Sequence, residues 1–537
     1  MISPGELLGV PKFEDWYPGQ EGLFREITEW LAGPERFMGA ALPTGYGKSL
    51  LGMLAAHTSG MRTVFLTSTK ALQTQLMTDF RPVGLVDIRG RNEYVCDKWT
   101  HLKADEAPCT GGYKCPLSNT DYCDYFKHLN RAKRERLVVT NYQCFMSHQV
   151  YTPEGLNLII KDIPVLGGQI VVNNTKLLIC DEAHLAAKAL ENFMTFTMTP
   201  RDREWLPWRE DWDYRNWNKA CRDVAGMLES ELDGTMVELQ GTEPGFDWHT
   251  ELVRRVRYLR ALQRKCDVLT QEAHDWVYEY EGEGKNQRTV WTPLWPGRYN
   301  HNLFGGVPKV LLMSAMMTKP MMDRLEVKGV WLNSPSPFPP GHTQVMHLNT
   351  ARIHHRADDE ALKRWVDRID EIIEGRQDQK GIVFTVSYAR ARFLAEKSRF
   401  GAQMMQHSSK DIADVVKRFK RADAPAILVS PSVTTGFDFP EDECKYIIVG
   451  KIPYPDTRGA VAKARNKEDK SWTSQMAMET LVQEAGRGTR SATDRCQVFI
   501  VDDSWKWWWW RYRDLAPKWF QERVIPTSLD RVPRKID

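Results

Sequence analysis

A chain of 537 residues with 42% hydrophobic and 27% charged side chains reads as a globular protein too long for one ordinary core, and its length leads to an expectation of roughly three to four domains. A formal net charge of +3 excludes the strongly basic balance that would by itself signal a polyanionic partner, so any nucleic-acid surface must be local. The opening MISPGELLGVPKFED has no basic-then-apolar leader, and no run approaches the roughly 18 apolar residues of a membrane span, which leads to the expectation of a cytoplasmic protein with no membrane partner.

The first half alternates short apolar strands with helices, an α/β pattern. RFMGAALP predicts a strand that runs into LPTGYGKS, Leu42 to Ser49, and SLLGMLAAHTSG predicts the helix after it. A Gly-rich turn in that position offers backbone N–H groups to phosphates at a helix N-terminus. Thr44, Gly45 and Gly47 would cradle the phosphates, Lys48 would reach the β- and γ-phosphates, and the Ser49 hydroxyl would ligate Mg²⁺. Leu42 stands where the strict phosphate-loop pattern has its first glycine.

After the strand RTVFLTST, the stretch CDKWTHLKADEAPCTGGYKCPLSNTDYC gathers Cys96, Cys109, Cys115 and Cys123 out of ten cysteines in the chain. In a reducing compartment such a group points to metal binding or catalysis rather than disulfides. The spacing C-x₁₂-C-x₅-C-x₇-C lacks the paired short knuckles of structural zinc sites. Wide, irregular loops suit an iron–sulfur cluster held by four thiolates. A zinc site, with His101 or His128 as a substitute ligand, and an unliganded group of thiols are the alternatives.

LVVTN is a further strand, and TKLLICDEAH brings Asp181 and Glu182 out at the C-terminal end of a buried strand, where open α/β sheets place ligands. Asp181 suits Mg²⁺ held through water, and Glu182 suits polarising an attacking water in phosphoryl transfer. RNWNKACRDVAGMLESEL and HTELVRRVRYLRALQRKCDVLTQEA then predict amphipathic helices. With eight tryptophans between Trp205 and Trp295, the segment reads as a mostly helical insertion. PKVLLMSAM resumes the α/β pattern, WLNSPSPFPPGHTQV reads as a linker, and GIVFTVS, AILVSP, KYIIVGKIP and CQVFIVDD are strands of a second α/β unit. RAKRER, Arg131 to Arg136, and the row Arg254, Arg257 and Arg264 are the candidate basic surfaces for a single strand. An irregular packed terminus is the expectation for SWKWWWWRYR, with base stacking as the alternative.

LPTGYGKS, DEAH, SAM at Ser314 to Met316 and QEAGRGTR at Gln483 to Arg490 occur in the order of the superfamily 2 helicases, which the chain resembles over nearly its whole length. The resemblance implies two RecA-like parallel-sheet motor domains with Mg·ATP between them. It makes Arg487 and Arg490 the arginine finger pair and places Gln483 beside them at the nucleotide. YPGQ resembles the adenine-reading motif, which gives Gln20 the base edge. SPSVTTGFDFP resembles the motif coupling nucleotide to nucleic acid, carried by Gly436 and Asp438, and FLTSTKALQTQ resembles a DNA-backbone motif with Thr67, Ser68 and Thr69.

The words flanking the cysteines, IRGRNEYVC and CDYFKHLNRAKRERLVVTNYQCFMSH, resemble the iron–sulfur helicases of the XPD/DinG family. That resemblance implies a 4Fe–4S cluster on the four cysteines, single-stranded and forked DNA as partners, and 5′-to-3′ movement. It also implies a first motor domain over 1–90, 130–185 and 305–333, an iron–sulfur domain over 91–129, a helical arch over 186–304 and a second motor domain over 334–537. A monomer is expected, since one chain holds both halves of the site. GRGTR replaces the family's frequent GRLIR, and TTGFD its WEG-type phrase, which leaves the arginine and carboxylate positions in place. The competing readings are a DNA-dependent ATPase switch that recruits or displaces partners without unwinding, and a zinc-containing RNA helicase.

Overall fold

The computed structural model describes every residue except 1, 44, 112, 119, 151–163, 166–167, 170–174, 244–245, 272–274, 335–338, 355, 432–436, 438, 490–493 and 537. The first sheet gains the strands β1 (Phe37–Ala41), β2 (Thr63–Thr67), β3 (Leu85–Asp87), β4 (Leu137–Asn141) and β5 (Leu177–Cys180) before a long insertion. The insertion carries β6 (Phe196–Met198), β7 (Trp276–Glu281) and β8 (Arg288–Pro293), after which β9 (Lys309–Ser314) and β10 (Val330–Asn333) return to the first unit. The first sheet has the order β10-β1-β9-β5-β2-β4-β3 and is parallel throughout.

Its central strands are apolar on both faces because helices cover both, as a parallel sheet requires. Phe65, Ile179, Leu311 and Met313 pack toward the Lys48–Thr58 helix, while Val64, Leu178, Val310 and Leu312 form the opposite core. Gly52 lets that helix lie directly on the sheet, since a Cβ there would stand 2.7 Å from Met313 and 2.9 Å from Phe65. The phosphate-loop helix is thereby held against the strands that carry the acidic residues.

The second sheet comprises β11 (Val345–His347), β12 (Lys380–Phe384), β13 (Met404–Gln406), β14 (Ala426–Ser430), β15 (Tyr446–Val449) and β16 (Gln497–Ile500). Its order is β11-β16-β15-β12-β14-β13, again all parallel. The two parallel sheets are the expected RecA-like pair. They meet where the Trp519 indole donates to Ala315 O at 2.9 Å, directly on the SAM segment.

The insertion between β5 and β9 departs from the mostly helical expectation. Two long helices, Tyr214–Gln240 and Asp247–Gln271, stand on a three-stranded antiparallel sheet of order β6-β8-β7. The tryptophans join the two layers: Trp217 lies 5.5 Å from Trp208 and 5.4 Å from Trp291, all three buried. Asp213 starts the first helix with a reciprocal capping box. The far end of the second reaches the cysteine-bearing segment through Tyr113 and His249, whose rings meet edge to face at 6.1 Å.

The edge strand β11 holds the C-terminal segment through His347, which is 2.8 Å from Ser528 Oγ and 3.3 Å from Asp503 Oδ1. Burial holds its imidazole down to about 4, with Asp503 pulling the other way. The unfolded chain therefore binds the proton first, so this contribution is complete above the unfolded value near 6.5 and is lost as pH falls toward about 4, on the order of 3 kcal/mol. Chemical denaturation at pH 7 and pH 5 should show a loss of stability on acidification that His347→Gln reduces. An unchanged pH dependence in that variant would remove His347 as its source.

Candidate functional site

The phosphate loop turns through Gly45 at φ 73° and Gly47 at φ 72°, left-handed conformations that glycine adopts without strain. A Cβ on Gly47 would also lie 2.7 Å from the Gln20 amide nitrogen. Gln20 is fully buried, donating from Nε2 to Tyr46 O at 2.9 Å and accepting from Tyr17 N at 3.2 Å. Its side chain therefore fastens the YPGQ turn to the phosphate loop. Leu42 is buried and its N–H bonds Ser314 O at 3.0 Å, so the position of the missing glycine belongs to the sheet rather than to the turn.

Lys48 opens the helix, and its Nζ lies 3.9 Å from Glu182 Oε1, while the Ser49 hydroxyl donates to Asp181 Oδ2 at 3.4 Å. Loop and acidic strand end, 132 residues apart for the Ser49 pair, are thus one site. Burial, and after it the charge of Glu182, push the Asp181 carboxyl up to about 6, with Lys48 pulling it down. The Ser49 hydroxyl and the Asp181 carboxylate are hard oxygen donors of the kind Mg²⁺ takes. Glu182 sits at φ 49°, ψ 44°, a strained backbone for a residue with a side chain, of the kind found where a carboxylate must be aimed.

A relay leads from Glu182 to the second unit. His184 Nδ1 lies 2.7 Å from Ser314 Oγ and 3.3 Å from Glu182 Oε2, and the Gln483 amide nitrogen lies 2.7 Å from His184 Nε2. An amide N–H only donates, so His184 Nε2 accepts and Nδ1 carries the proton. DEAH, SAM and the last motif therefore form one hydrogen-bonded path across the interface. Arg487 is buried, its Nη1 donating to Phe437 O at 2.8 Å, and its own carbonyl accepts from Phe439 N at 3.4 Å. It fastens the last motif to the GFDFP segment. Thr44, Gly436, Asp438 and Arg490 lie outside the described residues.

Cys96, Cys109, Cys115 and Cys123 line one small cavity in the segment between β3 and β4. Cys123 is the residue before the Asp124–Arg134 helix, where burial pushes its thiol up and the nearby Phe126 N–H pulls the other way. Burial pushes the Cys109 thiol up, Arg91 pulls it down, and the other three cysteines push it up again, so the four sulfurs share one space with a guanidinium at its wall. Neither His101 nor His128 lines the cavity, and among the described residues no three His, Cys, Asp or Glu side chains close on a single point as one metal ion requires. The lining offers four sulfurs, one carboxylate, Asp97, and no histidine.

The candidate nucleic-acid residues divide. Thr67 turns its hydroxyl to Thr69 O and Thr69 caps the Lys70–Phe80 helix, leaving Ser68 as the member of that trio without a turn bond of its own. In RAKRER, Arg136 bonds Ala56 O and His57 O, each at 3.1 Å, while Arg131 is exposed. Arg254, Arg257 and Arg264 are exposed along one helix. The tryptophan run is a helix, Trp505–Tyr512, not an irregular terminus: Trp505 and Trp508 are buried, whereas Trp507 and Trp510 are 45% and 78% exposed.

The family described as Helicase C-terminal domain matches residues 370–523, and the family described as Type III restriction enzyme, res subunit, matches residues 14–204. No curated protein sequence matches the chain. Among solved structures, one titled XPD_Helicase superposes with a TM-score of 0.57 at 14% identity, covering 94% of this chain and 98% of its own. Xpd4 of S. tokodaii superposes at 0.52 and 12% identity, covering 92% and 97%. Two RecA-like sheets with these motifs between them define a superfamily 2 helicase, with the nucleic-acid-dependent ATPase chemistry of that class. In fold the chain is similar to these XPD structures, and its own insertions come after β3 and β5. Among the described residues no helix is long and apolar enough to cross a membrane.

Proposed function

We propose that the protein is an ATP-dependent translocase on single-stranded DNA that parts forked DNA 5′-to-3′ as a monomer, with the domain boundaries given above and a 4Fe–4S cluster on its four cysteines. The observation that carries this reading is the four-cysteine cavity, set in the first motor unit and touching the arch at Tyr113 and His249. When bound, the cluster supplies sulfur–iron cross-links that hold the segment together; catalysis falls to the nucleotide site.

There, Lys48 and the loop N–H groups hold the phosphates, Ser49 and Asp181 hold Mg²⁺, and Glu182 orients the attacking water. Gln20 acts by keeping the loop in shape. Gln483, held by His184, reports the state of DEAH to the second unit. Arg487 and Arg490 add positive charge as the cleft closes, where it stabilises the transition state more than bound ATP.

A fork with a 5′ single-stranded tail, its 3′-tailed counterpart and the matching RNA fork test the reading. Release of a strand only from the 5′-tailed DNA is expected. ATP hydrolysis without strand release would favour the partner-displacing switch, and colourless, zinc-loaded protein preferring RNA would favour the zinc-containing RNA helicase.

Trp507 and Trp510 lie three apart on one helix face beside Lys506 and Arg511, a pattern suited to stacking bases near a phosphate-binding charge. Trp510→Ala should weaken single-strand binding about tenfold, as loss of one stacked base does. Fluorescence anisotropy with a labelled oligonucleotide reads the effect, and unchanged affinity would take this helix out of the DNA path.

A further inference from the structure

By chain connectivity the arch belongs to the first unit, which it leaves after β5 and rejoins at β9. Its returning strand is nevertheless bonded to the second unit. Arg465, on the Ala460–Glu468 helix, donates from Nη2 to Pro293 O at 3.1 Å, the last residue of β8, and from Nε to Leu294 O at 2.7 Å, the residue after it. The same Nη2 reaches Glu191 Oε2 at 2.6 Å, both side chains being 10% exposed or less. Trp295 and Trp472 each stand 5.7 Å from the guanidinium. Both ends of the helix are also tied to the arch: Glu279 of β7 accepts from Ala460 N, and Glu468 accepts from Trp295 Nε1 at 2.6 Å.

Glu191 lies on the Ala186–Met194 helix, which follows DEAH directly. One buried guanidinium thus joins the helix behind the acidic residues, the foot of the arch and the second motor unit. Pulling it away would strand a desolvated charge and several acceptors together. If the second unit turns against the first, either the foot of the arch goes with it or every one of these bonds breaks.

We propose that the Ala460–Glu468 helix is a strap through which Arg465 makes the arch follow the second motor unit, so that nucleotide-driven closure moves the arch against the first sheet and the cysteine segment it touches. This rests on the motor reading above. Arg465 is a positioning residue, acting through Glu191 and two arch carbonyls rather than on the nucleotide.

The test uses full-length protein with dye pairs among exposed positions Thr78 in the first unit, Val237 on the arch and Lys410 in the second unit, attached by cysteine-independent chemistry. A non-hydrolysable ATP analogue with Mg²⁺ and a single strand is then added. The Thr78–Lys410 and Thr78–Val237 distances should change together while Val237–Lys410 stays constant. In Arg465→Ala the arch should stay with Thr78, and strand release should fall about tenfold with ATP turnover within about twofold of the parent. Arg465→Lys keeps the charge but loses the fork and should fall between. If Arg465→Ala does not fold, Glu279→Gln with Glu468→Gln, outside the buried pair, should give the same uncoupling in weaker form. A Thr78–Val237 distance that ignores nucleotide while Thr78–Lys410 changes overturns the strap and leaves the motor standing. Absence of both domain movement and ATP turnover overturns both.

Discussion

Lys48→Ala is expected to lower nucleic-acid-stimulated ATP turnover about a thousandfold, the scale of removing one preorganised charge from a phosphoryl-transfer site. The Lys48 side chain is only 10% exposed, with its Nζ 3.9 Å from Glu182. In that partly dry setting its charge offsets developing negative charge far better than it would in water. A second effect acts in the same direction: Lys48 is the largest of the influences that favour the charged form of Asp181, ahead of the Glu182 N–H and the Ser49 hydroxyl, so its loss strengthens the hold of burial and Glu182 on the protonated form. Stability should change little, because alanine is the strongest helix former and Lys48 begins a helix rather than filling a core. Single-turnover hydrolysis in the presence of oligonucleotide, with thermal unfolding measured alongside, separates the two. Near-parental turnover in a folded variant would contradict the whole nucleotide-site assignment.

What the sequence disclosed about this site follows from where its chemistry sits. Lys48 and Ser49 are neighbours, as are Asp181 and Glu182, and a strand before each fixes where they emerge. The path from Glu182 through His184 to Gln483 was not legible, because the His184–Gln483 bond spans 299 residues and exists only when the two sheets face each other. Gln20 was legible as a motif but not in its role, since only packing shows that its amide is used up beneath the loop. Arg465 carries no motif at all; nothing in AVAKARNKE distinguishes it from a solvated basic helix. The arch sheet was missed for another reason. WVYEYE and RTVWTP alternate as strands do, and the GEGKNQ between them supplies Gly282 and Gly284 at φ 76° and 57°, but the tryptophans drew the segment into a helical reading. Those tryptophans serve both layers, which composition cannot separate.

Replacing one cysteine of the cavity tests what holds the segment between β3 and β4 in place. Between Gly90 and Asp124 the backbone has only short 3₁₀ turns and, among the described residues, one antiparallel bridge, Val95 with Lys103. A segment with so little ladder and so small an apolar core needs further support, and the proposed cluster would supply it, roughly 10 kcal/mol for comparable structural sites. Cys109→Ser removes one of the four sulfurs, at a half-buried position where burial already opposes an unshared charge. The expected result is loss of iron and of visible absorption, rapid proteolysis within 91–129, and strand separation lowered at least about a hundredfold, as for a metal-dependent element that unfolds without its ligand. ATP hydrolysis should survive, because Lys48, Ser49, Asp181 and Glu182 are held by the sheet and not by this segment. Cys144→Ser, a buried cysteine outside the cavity, should keep iron and colour. Iron retained in Cys109→Ser would dissolve the four-ligand reading, and zinc found in place of iron in the parent protein would replace it. Loss of ATP hydrolysis together with iron would show instead that the segment props up the motor, through the core that Tyr94, Tyr125 and Phe126 share with Cys180 and Ala183.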